Sequence, residues 1–125
     1  MDNEFEQLSN VIRKKITECP WGSEQTLKEH VEELLGEIKE LKEAIENNDN
    51  INLNEEVGDV FYDSLFLVML AEKENGAKRD DTIRRVREKI QRRSPWLFGD
   101  MKIDTKEEAL KIWNEIKQKE KETKI

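Results

Sequence analysis

An unbroken apolar stripe constrains this chain more than any other feature. Val31, Leu34, Leu35, Ile38, Leu41 and Ile45 recur three and four residues apart. That spacing follows the 3.6-residue repeat of an α-helix, not the two-residue alternation of a half-buried strand. Thr26, followed three residues later by Glu29, has the form of a capping box at the head of the stripe. The turn-favouring residues Asn47, Asn48, Asp49 and Asn50 end it.

Four further segments read the same way. Residues 3–18 place Phe5, Leu8, Ile12 and Ile16 on one face, and Cys19-Pro20-Trp21-Gly22 breaks that helix. A third helix is expected from about Asn52, with Glu55 completing a second box and Val57, Val60, Phe61, Leu65 and Val68 as its core face. Asn75-Gly76 is its stop. A fourth follows Asp80 or Asp81, carries Ile83, Val86 and Ile90, and ends at Ser94-Pro95. A fifth spans about 105–120 with Ala109, Ile112, Trp113 and Ile116 on one side, and the charged residues from Gln118 onward are expected to fray. No repeat and no strand is legible. The reading is all-α: one domain over residues 1–125, an antiparallel bundle of about five helices.

Hydrophobic residues make up 35% of the chain and charged ones 41%. That suits a thin bundle whose core is completed by oligomerisation, as a homodimer or a dimer of dimers. The net charge of −7 speaks against non-specific nucleic-acid binding and is compatible with binding a cation. Residues 84–93 are the exception, with six Lys or Arg. The single cysteine, Cys19, permits no internal disulfide, which fits a reducing cytoplasm. The acidic N-terminus lacks the apolar region of a signal peptide, and the longest apolar run is too short to span a bilayer.

Chemistry is concentrated in two acidic pairs. Glu37 and Glu40 are three apart on the second helix, and Glu56 and Asp59 are three apart on the third. Residues at that spacing share a helix face, and both pairs flank an apolar stripe. In an antiparallel hairpin the four carboxylates can converge across the seam, where a hard cation with oxygen ligands would relieve their repulsion. The bland alternative is a solvated surface, since this pattern arises easily in a glutamate-rich chain. Gly58, inside the second pair, costs helix stability, and a close approach of backbone or ligand would explain it.

These blocks resemble the MazG nucleotide pyrophosphohydrolase family. Glu37-Ile38-Lys39-Glu40 and Glu56-Val57-Gly58-Asp59 are similar to its acidic signature, and Cys19-Pro20-Trp21-Gly22-Ser23-Glu24-Gln25-Thr26 to its Cys-Pro-Trp-Asp-x-x-Gln-Thr block. Ala44-Ile45-Glu46 matches between them. The run from Lys89 to Asp100 resembles Lys-Leu-x-Arg-Arg-His-Pro-His-Val-Phe-x-Asp. The blocks occur in the family's order over residues 19–100.

The resemblance implies an all-α, oligomeric enzyme that cleaves a nucleoside triphosphate between its α- and β-phosphates, giving a monophosphate and pyrophosphate. It implies Mg2+, with Mn2+ as a substitute, held by Glu37, Glu40, Glu56 and Asp59. Lys89, Arg92 and Arg93 become the expected phosphate contacts, against a solvated face that pairs with acidic helices. Three positions depart from the pattern: Gly36 where a Glu often stands, Gly22 for Asp, and Ser94 for His. Gly36 leaves Glu33, one turn earlier, as the candidate base, against a solvated surface Glu33 and a metal-bound hydroxide that needs little help. It also motivates an alternative, a catalytically weak nucleotide-binding or regulatory member. Trp21 and Trp96 are candidates for base stacking or for capping the hydrophobic end of the bundle. His30 and Cys19 are expected to be structural, or in the case of His30 on the surface.

Overall fold

The computed structural model describes residues 3–124. Among these residues six α-helices run in chain order: α1 (Glu4–Glu18), α2 (Leu27–Glu46), α3 (Asn50–Asn75), α4 (Arg79–Arg93), α5 (Pro95–Phe98) and α6 (Lys106–Thr123), with a 3₁₀ turn at Gly22–Glu24. No strand occurs among the described residues. The chain divides into two compact units, one ending at Arg79 and the other starting at Asp80.

In the first unit, α2 and α3 form a hairpin. Its antiparallel sense follows from three cross-links whose numbers run in opposite directions. Leu27 N–H donates to Glu74 at 2.7 Å, His30 meets Asp63 at 3.0 Å, and Glu37 lies against Glu56. The Thr26 hydroxyl caps α2 by accepting from Glu29 N–H, as the box predicts. At the next helix the expected start is two residues late. Asp49, not Asn52, is the cap, its Oδ1 accepting from Asn52 N–H at 3.3 Å. Gly76, at φ +79°, closes α3 in the left-handed conformation that glycine adopts freely.

α1 lies on α3, and the core sits between them: Ile12 and Ile16 against Leu65, Phe66, Met69 and Leu70. Ile12, Phe66 and Leu70 are wholly buried, each stabilising by about 1.5–3 kcal/mol. Arg79 closes this unit with a bidentate pair to Glu6, at 3.0 and 2.9 Å, and its guanidinium lies over Phe5.

The expected core faces need correcting. On α2, Val31, Leu35, Ile38 and Ile45 are 41–56% exposed, and on α3 Val57 and Phe61 are each 51% exposed. The core of α3 is its C-terminal half. Within the first unit, α1 packs on α3 on that side, and the apolar residues flanking the acidic ones stay exposed.

In the second unit, α6 runs to Thr123, beyond the expected end near 120. Glu120 ties that turn to Arg92 and Arg93. The short α5 is an unexpected element. Pro95 does end the preceding helix, but it also sits at the first position of a new turn, where its missing N–H costs nothing. No described helix is long and apolar enough to cross a membrane.

Candidate metal centre

The hairpin brings the acidic pairs together. Glu37, Glu56 and Asp59 each place a carboxylate oxygen within 4.8 Å of the others. Oε2 of Glu37 and Oε2 of Glu56 are shielded from solvent and have no hydrogen-bond partner. Buried oxygens left in that state cost free energy, so the site needs a proton or a cation. Glu40 stands outside this trio, but its charge acts on both Glu37 and Glu56.

The electrostatics follow. Glu37 is raised to about 7 by burial first, then by its hydrogen bond with Glu56 and the charges of Glu40 and Asp59. Glu56 is raised by burial and by the same two charges, with the hydrogen bond to Glu37 pulling it down. Glu37 is thus drawn toward its protonated form when no cation is bound. A divalent cation would replace that proton. All-oxygen donors of this kind suit magnesium or manganese.

His30, expected to be structural or on the surface, is structural and not on the surface. His30, 2% exposed, stacks flat on Phe66 with ring centroids 4.2 Å apart. Its Nε2 lies 3.0 Å from Asp63 Oδ1, and its Nδ1 lies 3.3 Å from Gln25 Oε1. Burial pushes the Asp63 carboxyl up, His30 draws it down, and the charges of Glu33 and Asp59 raise it further. Glu33 itself is exposed. Residues 30 and 63 share no local pattern, so nothing in the sequence pairs them.

The other expected residues fall as follows. Arg92 and Arg93 are both engaged by Glu120, and Arg93 also lies over the Trp113 ring at 5.4 Å. Lys89 lines a groove of about 500 Å³ in the same unit. Trp21 is 54% exposed rather than capping a hydrophobic end, with the Lys15 ammonium 4.4 Å above its ring. Trp96 is half-buried. Cys19 is a free, half-buried thiol, drawn down chiefly by hydrogen bonds from the backbone of Gly22 and Trp21.

The glycines divide. A Cβ at Gly22 would sit 2.3 Å from the Lys15 carbonyl oxygen, so this turn has no room for the aspartate found in the similar block. Gly36 and Gly58 have nothing within 4 Å of such a Cβ. The close backbone approach expected at Gly58 is therefore absent among the described residues.

Fold and site together define a helical protein with a cluster of three carboxylates placed so that they could hold a metal ion. Residues 25–98 match the model of the MazG nucleotide pyrophosphohydrolase domain, and the chain belongs to that family. It is 34% identical to the Bacillus subtilis protein YabN over 97% of this chain and 25% of the relative. It is 29% identical to the Escherichia coli K12 nucleoside triphosphate pyrophosphohydrolase over 98% of this chain and 48% of that one. The crystal structure of a mazG-related protein from Thermotoga maritima superposes with a TM-score of 0.82 at 42% identity, covering 90% of this chain and 98% of the other. The chain spans between a quarter and a half of the length of those two curated relatives.

Proposed function

We propose that this chain is a magnesium-dependent nucleoside triphosphate pyrophosphohydrolase, acting on ribo- or deoxyribonucleotides. The observation that carries the reading is the convergence of Glu37, Glu56 and Asp59, with two shielded carboxylate oxygens left without partners. Glu40 is proposed to complete the ligand set. When bound, the cation supplies neutralisation of phosphate oxygens and a more acidic water.

The residues of the chain do the rest. Water adds to the α-phosphorus, the bond to the bridging oxygen breaks, and pyrophosphate leaves with the electron pair. Glu33 takes the proton of the attacking water. Lys89, Arg92 and Arg93 stabilise charge on phosphate oxygens, a role suited to the planar fork of arginine. Gly36 supports a second reading, a weak or regulatory nucleotide binder. Its position is open, yet it lacks the carboxylate often found there in the family.

Pyrophosphate release from a panel of triphosphates tests the proposal. We expect release only with magnesium or manganese, and losses of orders of magnitude in Glu56→Gln and Asp59→Asn. In the same assay Glu33→Gln should turn over roughly 100-fold more slowly while keeping its magnesium affinity. Near-normal turnover in both ligand variants would sink the assignment. Nucleotide binding without release from any triphosphate would select the second reading.

A further inference from the structure

The C-terminal unit holds a carboxylate where the family pattern leads one to expect a phosphate. Glu120 Oε1 accepts from Arg92 Nε at 2.9 Å, and Oε2 accepts from the Arg93 Nε and guanidinium N–H groups at 3.1 and 2.9 Å. The side chains of Arg93 and Glu120 are only 14% and 17% exposed. Two guanidinium forks closing on one anion is the arrangement that binds phosphate as readily as carboxylate.

A groove runs beside this contact, lined by Arg85, Lys89, Arg92 and Lys124 together with Glu88. Arg85, Lys89 and Arg92 share one face of α4 at helical spacing, and Lys124 follows the last residue of α6. Among the described residues, Arg85, Lys89 and Lys124 make no ion pair. The groove thus has more positive charge than the protein neutralises, and its volume of about 500 Å³ has room for a chain of phosphates.

We propose that Glu120 is the internal occupant of a polyphosphate seat. It holds Arg92 and Arg93 until the phosphate chain of a ligand enters the groove lined by Arg85, Lys89, Arg92 and Lys124 and displaces it. This rests on the reading of Lys89, Arg92 and Arg93 as phosphate contacts, and it adds Arg85 and Lys124 to them. The exchange keeps every arginine donor satisfied, so it costs little beyond the release of the last turn of α6. It also lowers the apparent affinity for any anion too weakly charged to compete.

The test is calorimetric titration of inorganic pyrophosphate into the full chain without magnesium. Glu120→Gln should bind about tenfold more tightly than the wild type, because the arginines no longer carry a competitor. Adding Arg93→Gln to that variant should abolish the gain. In the unsubstituted chain, pyrophosphate should speed amide hydrogen exchange over residues 117–123, a readout that needs no variant to fold. Equal or weaker binding by Glu120→Gln, with exchange in α6 unchanged, would overturn the latch and leave the phosphate contacts standing. No pyrophosphate binding by either protein would overturn both.

Discussion

At Glu37, burial and neighbouring carboxylates act in the same direction, and the consequence is a pH dependence with a definite sign. A carboxyl raised to about 7 in the folded chain, from an ordinary 4.5, binds more protons folded than unfolded between those values. The stability of the metal-free protein therefore falls as pH rises through that window. Glu56 and Asp63, both raised, act in the same direction. Glu120 does the opposite: held at about 2 by Arg93 and Arg92, it contributes stability that is lost only as pH drops below the ordinary range. Melting temperatures without divalent cation should decline from pH 5 to pH 8, and magnesium or the Glu37→Gln substitution should flatten the decline. Metal-free melts that rise over that range would contradict this account. Much at this scale was legible. The three-residue spacing of Glu37 with Glu40 and of Glu56 with Asp59 is local information, and so is the reach of a helix face. Gly22 was not, because the atom that forbids a side chain there belongs to Lys15, seven residues back in α1.

A buried polar link between His30 and Asp63 joins α2 to α3 near the carboxylates. Side-chain exposures of 2% for His30 and 9% for Asp63 leave neither group an alternative partner in solvent. Removing one partner strands the other, so His30→Ala should cost about 3 kcal/mol. Part of that loss is the stacking on Phe66. Combining His30→Ala with Asp63→Ala should cost less than the sum of the single changes, because the second removes the stranded charge. Denaturant melts of the three variants measure this, and strict additivity would show that the pair is not coupled. The helix ends show why part of the architecture could be read in advance. Thr26 caps as its sequence pattern predicts, accepting from the amide three residues on, and Thr105, where the last helix was expected to begin, caps in the same way. The α3 start was misplaced because Asn52 with Glu55 imitates a capping box, while Asp49 captures the amide of Asn52 first. Such competition between adjacent caps is decided by backbone geometry that composition does not encode.

At the scale of the whole molecule, the apolar stripe from which the fold was read is the part the monomer leaves uncovered. Val31, Leu35, Ile38 and Ile45 on α2, with Ile51, Val57 and Phe61 on α3, are all more than 40% exposed, and Ile51 reaches 84%. A periodic stripe identifies a helix and its buried side. It does not say whether the covering surface comes from the same chain. That ambiguity explains why the helices were legible and the composition of the core was not. We propose that these exposed apolar residues on two packed helices form an association surface. Because the stripe flanks the carboxylates, a second copy laid across it would bury apolar surface beside the metal centre. Each half-exposed apolar side chain removed from water contributes about 1 kcal/mol, so the seven residues of both copies together contribute about 14 kcal/mol, against about 8 kcal/mol for a micromolar dimer plus the cost of association. Sedimentation velocity should find a homodimer, or a dimer of dimers. Leu35→Glu with Phe61→Glu should shift it to monomer while far-ultraviolet circular dichroism stays helical, since neither side chain belongs to the Ile12–Phe66–Leu70 core. A wild-type chain that sediments only as monomer at micromolar concentration would show that this face is not closed by a copy of itself.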